Sequence, residues 1–313
     1  MRNCKKCDQP AATFLRVYRL HLCADHFLEF LRNRVSKTIK KYQMINPYER
    51  IAVALSGGKD SVVLLHVLDQ LYAETLELIG IHVDLGIEPQ NYSRESLDLA
   101  KESCRQLDRE FHCITLEKEF QITMDRAKAE EKRLRRPPCA ACGTIKRYVL
   151  NRYSLKLDCE RLATGHVLDD EASVLLLNLF NGNVDQLIRT GPNLSGVNNS
   201  MITRIKPLYE TYEFETALYT QFAGLKFQNE ECPYSVGAST FKFKKFLLNF
   251  EEQHPGIEQS FLQNFNKRIL PSLKMYYEKP EERLITACSN CNGPTTQEIC
   301  AFCNLRSLLI GEK

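Results

Sequence analysis

The chain reads as an α/β protein built on a doubly wound parallel sheet, with a small cysteine-rich module at each end. Three observations carry that expectation. Short apolar runs at residues 51–55, 76–83, 111–116 and 161–164 alternate with stretches of helical periodicity, as repeated βα units do. The first run ends in two glycines, a lysine and an acid, and a helical pattern follows at once (IAVALSGGKDS, then VVLLHVLDQL). Cysteine pairs with two residues between them open and close the chain.

Each element has a local reason. Ile51, Val53 and Leu55 belong to an uninterrupted apolar strand of the kind buried in a parallel sheet. Gly57 and Gly58 let the backbone turn tightly and come close to an anion. The helix that follows presents free N–H groups and its positive dipole end to that turn, so together they make an anion site. It is not a Walker A loop, because Asp60 rather than Ser or Thr follows Lys59. Residues 27–42 read as an amphipathic helix, with Leu28, Leu31, Val35 and Ile39 on one face and Arg34, Lys37 and Lys41 on another. Residues 144–155 also read as a helix, which puts Cys142 near a helix start, where a thiolate is favoured. Ligands of such a sheet sit beyond the carboxyl ends of its strands, where the glycine turn, His82 and Gly165 collect.

The cysteines fall into three groups. Cys4, Cys7, Cys23 and His26 form two knuckles that suit tetrahedral zinc, with His21 as a competing fourth ligand. Cys288, Cys291, Cys300 and Cys303 repeat that logic with four thiolates, and neither set leaves the open position of a catalytic metal. The third group is Cys139 and Cys142, approached through two stiffening prolines, with Cys232 far downstream. The pair alone fits a redox or persulfide-carrying site, or half a metal site. With Cys232 it makes three thiolates, a set able to hold a [4Fe–4S] cluster with one iron left without a protein ligand. Cys104, Cys113 and Cys159 read as core residues.

A chain of 313 residues accommodates one catalytic domain plus accessory modules. The expected division is an N-terminal zinc finger at 1–27, a nucleotide-binding domain at 28–225, a helical segment carrying Cys232 at 226–280, and a second zinc finger at 281–313. No apolar stretch reaches membrane-spanning length, and the opening MRNCKKCDQP has no apolar signal core, so a cytoplasmic protein without membrane association is expected. Thirteen cysteines in that setting point to metal or catalytic thiols rather than disulfides. The formal charge of +3 counts every cysteine as neutral, and metal-bound thiolates lower it, so net charge is no argument for RNA binding. The local patch at 125–138, six basic residues against three acids, reads either as a loop gripping RNA phosphates or as a solvated helix face. Lys242, Lys244 and Lys245 read as solvated surface, and residues 193–200 as a polar loop.

The glycine turn resembles the PP-loop, SGGxDS, of ATP pyrophosphatases, which holds the β,γ-phosphates while a substrate is adenylated. That loop, the CxxC-G segment, the later cysteine and a zinc set at each end together resemble the TtuA-type tRNA 2-thiouridine synthetases and their wobble-uridine relatives over essentially the whole chain. HVDLGI, CAACGTIKRY, ATGHVLDDEA, EECP and PTTQEICAFC extend the match. The resemblance implies ATP-dependent thiolation of a tRNA uridine, with a [4Fe–4S] cluster, Mg2+ and two Zn2+. It implies that Ser56, Gly57, Gly58, Lys59, Asp60 and Ser61 hold the pyrophosphate moiety, and that Ala54 with the backbone around His82 and Val83 lines the nucleoside pocket. Gly165 and Asp170 would contact the nucleotide or its magnesium, and Cys139, Cys142 and Cys232 would ligate the cluster. Lys146 and Asp170 match polar positions that assist catalysis. One departure stands out: Val167 replaces the asparagine of the usual TGHNxDD, so any orienting role of that asparagine must be met differently.

The HVDLGI and GAST segments favour the T-loop uridine over the wobble position. The resemblance also implies sulfur from a ubiquitin-like carrier with a C-terminal thiocarboxylate, or from free sulfide, and the zinc modules suggest a homodimer. The rival chemistry is 2-thiocytidine synthesis, against which the terminal zinc motifs argue. The rival of another class is an inactive, zinc-stabilised tRNA-binding protein, opposed by the intact SGGKDS and LDD segments.

Overall fold

The computed structural model describes residues 2–197, 200–235, 239–277 and 285–311, so Gly237 and Ala238 of the GAST segment lie outside it. An antiparallel hairpin, β1 (Thr13–Leu15) and β2 (Leu20–Leu22), leads into α1 (Ala24–Lys41). There follow β3 (Arg50–Ala54), α2 (Lys59–Tyr72), β4 (Glu77–Asp84), α3 (Tyr92–Gln106) and β5 (Glu110–Thr115). Three short helices, α4 (Leu116–Phe120), α5 (Met124–Ala129) and α6 (Glu131–Leu134), precede the long α7 (Pro138–Lys156) and β6 (Arg161–Ala163). Next come α8 (Leu168–Phe180), α9 (Val184–Leu187), β7 (Asn193–Leu194), β8 (Thr203–Ile205) and α10 (Glu213–Ala223). Helices α11 (Ser239–Gln253), α12 (Ile257–Asn264) and α13 (Leu270–Tyr277) then give way to a hairpin, β9 (Thr286–Ala287) and β10 (Pro294–Thr295), and to α14 (Ala301–Ile310).

The central sheet has the order β5-β4-β3-β6-β8-β7 and is parallel except at β7–β8. Its first four strands are the predicted runs, each within one residue at either end. Alternation sends Ile51 and Val53 into one core with α1 and α2, and Ala52, Ile79 and Ile81 into a second with α7 and α14, which is what covering both faces of a parallel sheet requires. The chain runs from β3 out to β5 and returns to β6 on the other flank of β3. Strand order therefore reverses between β3 and β6, the place where open α/β sheets bind ligands.

Several expectations need correction. Residues 193–200 are not wholly loop: Asn193 and Leu194 add a two-residue edge strand, too short to show a period of two. Arg34 does not face water; it pairs with the fully buried Glu215 and lies 4.6 Å over the Tyr18 ring. That pair joins α1 to α10, and its burial is tolerated because both charges are compensated. Phe27, not Leu28, completes the buried stripe of α1. Cys104 and Cys159 are buried as expected, but Cys113 is exposed because β5 is an edge strand. Of the two readings of the basic stretch, the helical one describes most of it, as α5 and α6, with Arg135 and Arg136 beyond them. Its six cations are all exposed, and Arg126, Lys132, Arg135 and Arg136 have no carboxylate partner among the described residues. Among the described residues no helix is long and apolar enough to cross a membrane.

Candidate active site

The SGGKDS turn leaves β3 and ends in the first turn of α2. Gly57 has φ +80°, and a Cβ there would stand 2.6 Å from the Ser96 carbonyl oxygen, so conformation and space both demand glycine. Hydroxyls lock the loop. Ser61 Oγ donates to the Gly58 carbonyl at 2.8 Å and accepts from the Ser56 N–H at 3.1 Å, while Ser56 Oγ accepts from the Gly58 N–H at 3.3 Å. Gly165, at the end of β6, lies so close that a Cβ would be 3.0 Å from the Asp60 carbonyl. The two loops at the switch point are thus packed on each other.

Charged side chains gather beside the loop. Lys59 Nζ is 2.6 Å from Glu213 and 3.2 Å from Asp60, whose other oxygen accepts from Thr216. Lys244 Nζ bridges Asp170 at 2.7 Å and Glu213 at 2.8 Å. Lys244 is therefore part of this network and not solvated surface. Burial opposes its charge, but Asp170 and Glu213 outweigh that and raise its pKa. Asp169 turns inward: it is 2% exposed, accepts from the Glu213 N–H at 2.7 Å and so caps α10. Burial pushes its carboxyl up to about 6. Val167 is fully buried in the core that holds Ile205 and Leu208, so no polar ligand reaches the loop from that position. Sequence reasoning missed Glu213 and misread Lys244. Glu213 meets Lys59 from 154 residues along the chain, and its only local signal is an acid in the first turn of a helix.

On the other side of the loop a cavity of about 90 Å³ is lined by Ala54, Ser56, His82, Val83, Tyr92 and Lys146. Small-molecule sites run to roughly 300–1,000 Å³, so a nucleoside requires this cleft to widen. The His82 Nδ1–H donates to the Leu55 carbonyl at 2.8 Å, which leaves Nε2 as a buried acceptor with no partner among the described residues. Burial lowers the His82 pKa and keeps the ring neutral.

The helix carrying the CxxC pair starts earlier than expected, at Pro138, so Cys139 and Cys142 occupy its first two turns and Lys146 follows one turn later. Cys139 Sγ donates to the Tyr234 carbonyl at 3.6 Å, which ties the helix to the segment bearing Cys232. Cys139 is exposed and the other two are half-buried. Burial raises the pKa of Cys139 and Cys142, Cys232 adds to both, and Lys146 works against the rise. Tyr92, a wall of the nucleoside-side cavity, is pushed up to about 12 by burial and then by Cys232 and Cys142. Tyr92 and Lys146 thus line that cavity and also lie within electrostatic reach of the trio, Lys146 of Cys139 and Cys142, Tyr92 of Cys142 and Cys232. Among the described residues the sets whose ligand atoms all lie within 4.8 Å are the two terminal quartets. The looser trio fits a multi-iron cluster better than a single ion, since a cluster spaces its thiolates across several atoms.

The first quartet is Cys4, Cys7, Cys23 and His26, with His26 Nδ1 at 3.5, 3.4 and 3.2 Å from the three sulfurs. These are near the edge lengths of a tetrahedron whose metal bonds are about 2.0–2.3 Å. His21 instead stacks on Phe14 at 4.3 Å. The second quartet, Cys288, Cys291, Cys300 and Cys303, has Cys291 and Cys300 sulfurs 3.7 Å apart. It is anchored to α7 through Phe302, which stacks on Tyr148 at 3.8 Å. Both donor sets fit zinc. Burial disfavours thiolate at Cys4 and Cys288, but backbone N–H groups overcome it and bring each down to about 6.

Residues 30–236 match the PP-loop domain family, and residues 3–28 match the N-terminal LIM domain of 2-thiouridine synthetase TtuA. The chain is 36% identical to a tRNA-5-methyluridine(54) 2-sulfurtransferase of Pyrococcus horikoshii, across 98% of this chain and 94% of that protein. Against the Thermus thermophilus enzyme of the same name it is 36% identical, across 96% and 90%. The solved structure of the U34-tRNA thiolase NcsA from Methanococcus maripaludis, with its [4Fe–4S] cluster, superposes with a TM-score of 0.80 at 28% identity, covering 97% of this chain and 95% of that one. With a family model over residues 30–236 and relatives matched over nearly their whole length, the chain belongs to the PP-loop family of ATP-using tRNA 2-sulfurtransferases.

Proposed function

We propose that the chain replaces the C2 oxygen of a tRNA uridine with sulfur after activating that oxygen with ATP. The observation that carries this reading is the position of Lys146 and Tyr92, which face a cavity beside the PP-loop and also neighbour the three thiols. ATP would lay its phosphates on the N–H groups of residues 56–61 and the start of α2. Lys59 would exchange Glu213 for phosphate oxygen and offset the charge that develops as pyrophosphate leaves. Lys244 would then keep Glu213 and Asp170 compensated, while Asp60 and Asp170 would offer carboxylate oxygens of the kind Mg2+ takes. Attack of the uridine O2 on the α-phosphate turns a poor leaving oxygen into AMP. Sulfide added at C2 expels it with no net redox change. Held by Cys139, Cys142 and Cys232, a [4Fe–4S] cluster would supply an iron without a protein ligand to carry that sulfur. Lys146 would hold a proton or an anionic charge between the two half-sites. The target base must leave its stack to meet ATP, which suits a tRNA loop.

The T-loop uridine is the preferred target, because the 36% identical relatives are named for position 54. The wobble uridine is the second reading, favoured by the structural likeness to a U34-tRNA thiolase. Either way the partners would be tRNA and a thiocarboxylated carrier or free sulfide, in a cytoplasmic, zinc-containing homodimer. The test is anaerobic reconstitution with iron and sulfide, followed by ATP and unmodified tRNA. The expected products are AMP, pyrophosphate and a 2-thio nucleoside whose position mass spectrometry identifies. Full activity without iron sinks the cluster reading, and ATP left uncleaved sinks the PP-loop one.

A further inference from the structure

Helix α7 has a second working face. Cys139, Cys142, Lys146 and Leu150 lie on one side, while Thr144, Tyr148, Asn151 and Leu155 recur on the opposite side at ~100° per residue, with Arg147 on the flank between them. That opposite face walls a cavity of about 760 Å³, closed by β8 and the second cysteine quartet and of the size that accepts small ligands. Arg147, Arg152 and Arg204 line it, and no carboxylate does among the described residues. Arg152 donates to the Tyr148 hydroxyl at 3.0 Å, while Arg147 and Arg204 pair with no carboxylate among the described residues, Arg147 having the Cys142 thiol as its electrostatic neighbour. Burial lowers the pKa of Arg204, and repulsion from Arg147 adds to it. Cationic groups held together in a half-buried place are costly until an anion joins them.

We propose that this cavity is a subsite for a phosphodiester of the bound tRNA, with an unstacked base of the same strand set against the Tyr148–Phe302 wall. The proposal rests on the tRNA reading above. Guanidinium planes match phosphate oxygens two at a time, and an aromatic wall accepts any base. One helix diameter, about 10–12 Å, separates the side bearing Tyr148, Asn151 and Leu155 from Lys146, a gap that a strand wrapping α7 crosses in a few nucleotides. The competing role is counter-ion to the second quartet, because Cys291 and Cys300 border the cavity and zinc with four thiolates carries net negative charge.

The experiment is tRNA binding across a salt series, with zinc content and ATP binding measured on the same samples. Wild type is compared with Arg204→Gln, Arg204→Lys and the Arg147→Gln/Arg152→Gln double variant, which is read in the same way should Arg204→Gln fail to fold. The expected result is a Kd raised roughly 5–20-fold by Arg204→Gln, with the salt slope reduced by about one and largely kept by Arg204→Lys. Zinc and ATP binding stay unchanged. Variants that bind tRNA as wild type does overturn the subsite alone. Loss of one zinc alongside the affinity also overturns it and assigns the arginines to the metal centre. A defect limited to carrier-dependent turnover at unchanged tRNA affinity overturns it in favour of a protein tail. A wild type that fails to bind tRNA removes the parent reading and this proposal together.

Discussion

The terminal quartets and the central trio are built mainly from cysteine and share the CxxC spacing, with His26 the one exception among the ligands, yet their surroundings differ. In the quartets a second knuckle closes the tetrahedron, most sulfurs are buried, and knuckle N–H groups draw Cys4 and Cys288 toward thiolate. The trio has a lone third cysteine, stays open to solvent at Cys139, and faces Lys146 and Tyr92. Closure makes a brace; an open set beside a polar cavity leaves room for chemistry. The spacing is common to both, and the neighbours decide.

That contrast breaks most visibly if ligands from the two classes behave alike on removal. Cys139→Ala is expected to cut thiolation by at least about 100-fold while zinc content and ATP cleavage persist, because it touches only the delivering half. Cys288→Ala should instead lose one zinc and several kcal/mol of stability, read by metal analysis and thermal melting. Next in size is Gly57→Ala. Its φ of +80° and the Ser96 carbonyl 2.6 Å from the new Cβ predict more than about 10-fold weaker ATP binding and about 1–3 kcal/mol of destabilisation. Lys244→Met leaves Asp170 and Glu213 without their shared cation. It should weaken ATP use about 10-fold in a pyrophosphate-release assay and leave both zinc sites filled. The smallest effect sharpens the comparison through pH. Burial, then its sulfur neighbours, hold Cys139 above its ordinary 9, so alkylation of cluster-free protein should still be accelerating as pH passes 9. Lys146→Ala removes the opposing charge and should move that curve to still higher pH. A plateau near neutrality would contradict the assignment.

What could be read from sequence was whatever is contiguous. SGGKDS carries its own strand, turn and helix start, and each zinc knuckle closes over two residues, so both were legible from spacing. The Lys59–Glu213 and Lys244–Asp170 pairs were not, since no local pattern links residues that only the folded sheet brings together. Arg34 misled for a related reason: helical periodicity marks a polar residue as outward unless a buried Glu215 from another helix awaits it. Asn193 and Leu194 were too few to show alternation. Val167 looked like a lost polar contact, and its burial beside Ile205 and Leu208 shows an apolar neighbourhood that a lone sequence does not display.

One consequence of α7 concerns mutation by length rather than by type. A residue inserted or deleted between Cys142 and Lys146 would turn everything beyond it by about 100° and shift it by about 1.5 Å. Cys142 would then no longer share a side with Lys146, and Arg147 would swing away from its cavity. Substitutions can be absorbed one at a time along this helix, but a frame-preserving indel there strikes both cavities in a single event. The four-residue step from Cys142 to Lys146 is thus a fixed gear tooth, and variants of this protein should tolerate indels in the α9–β7 connection far better than here.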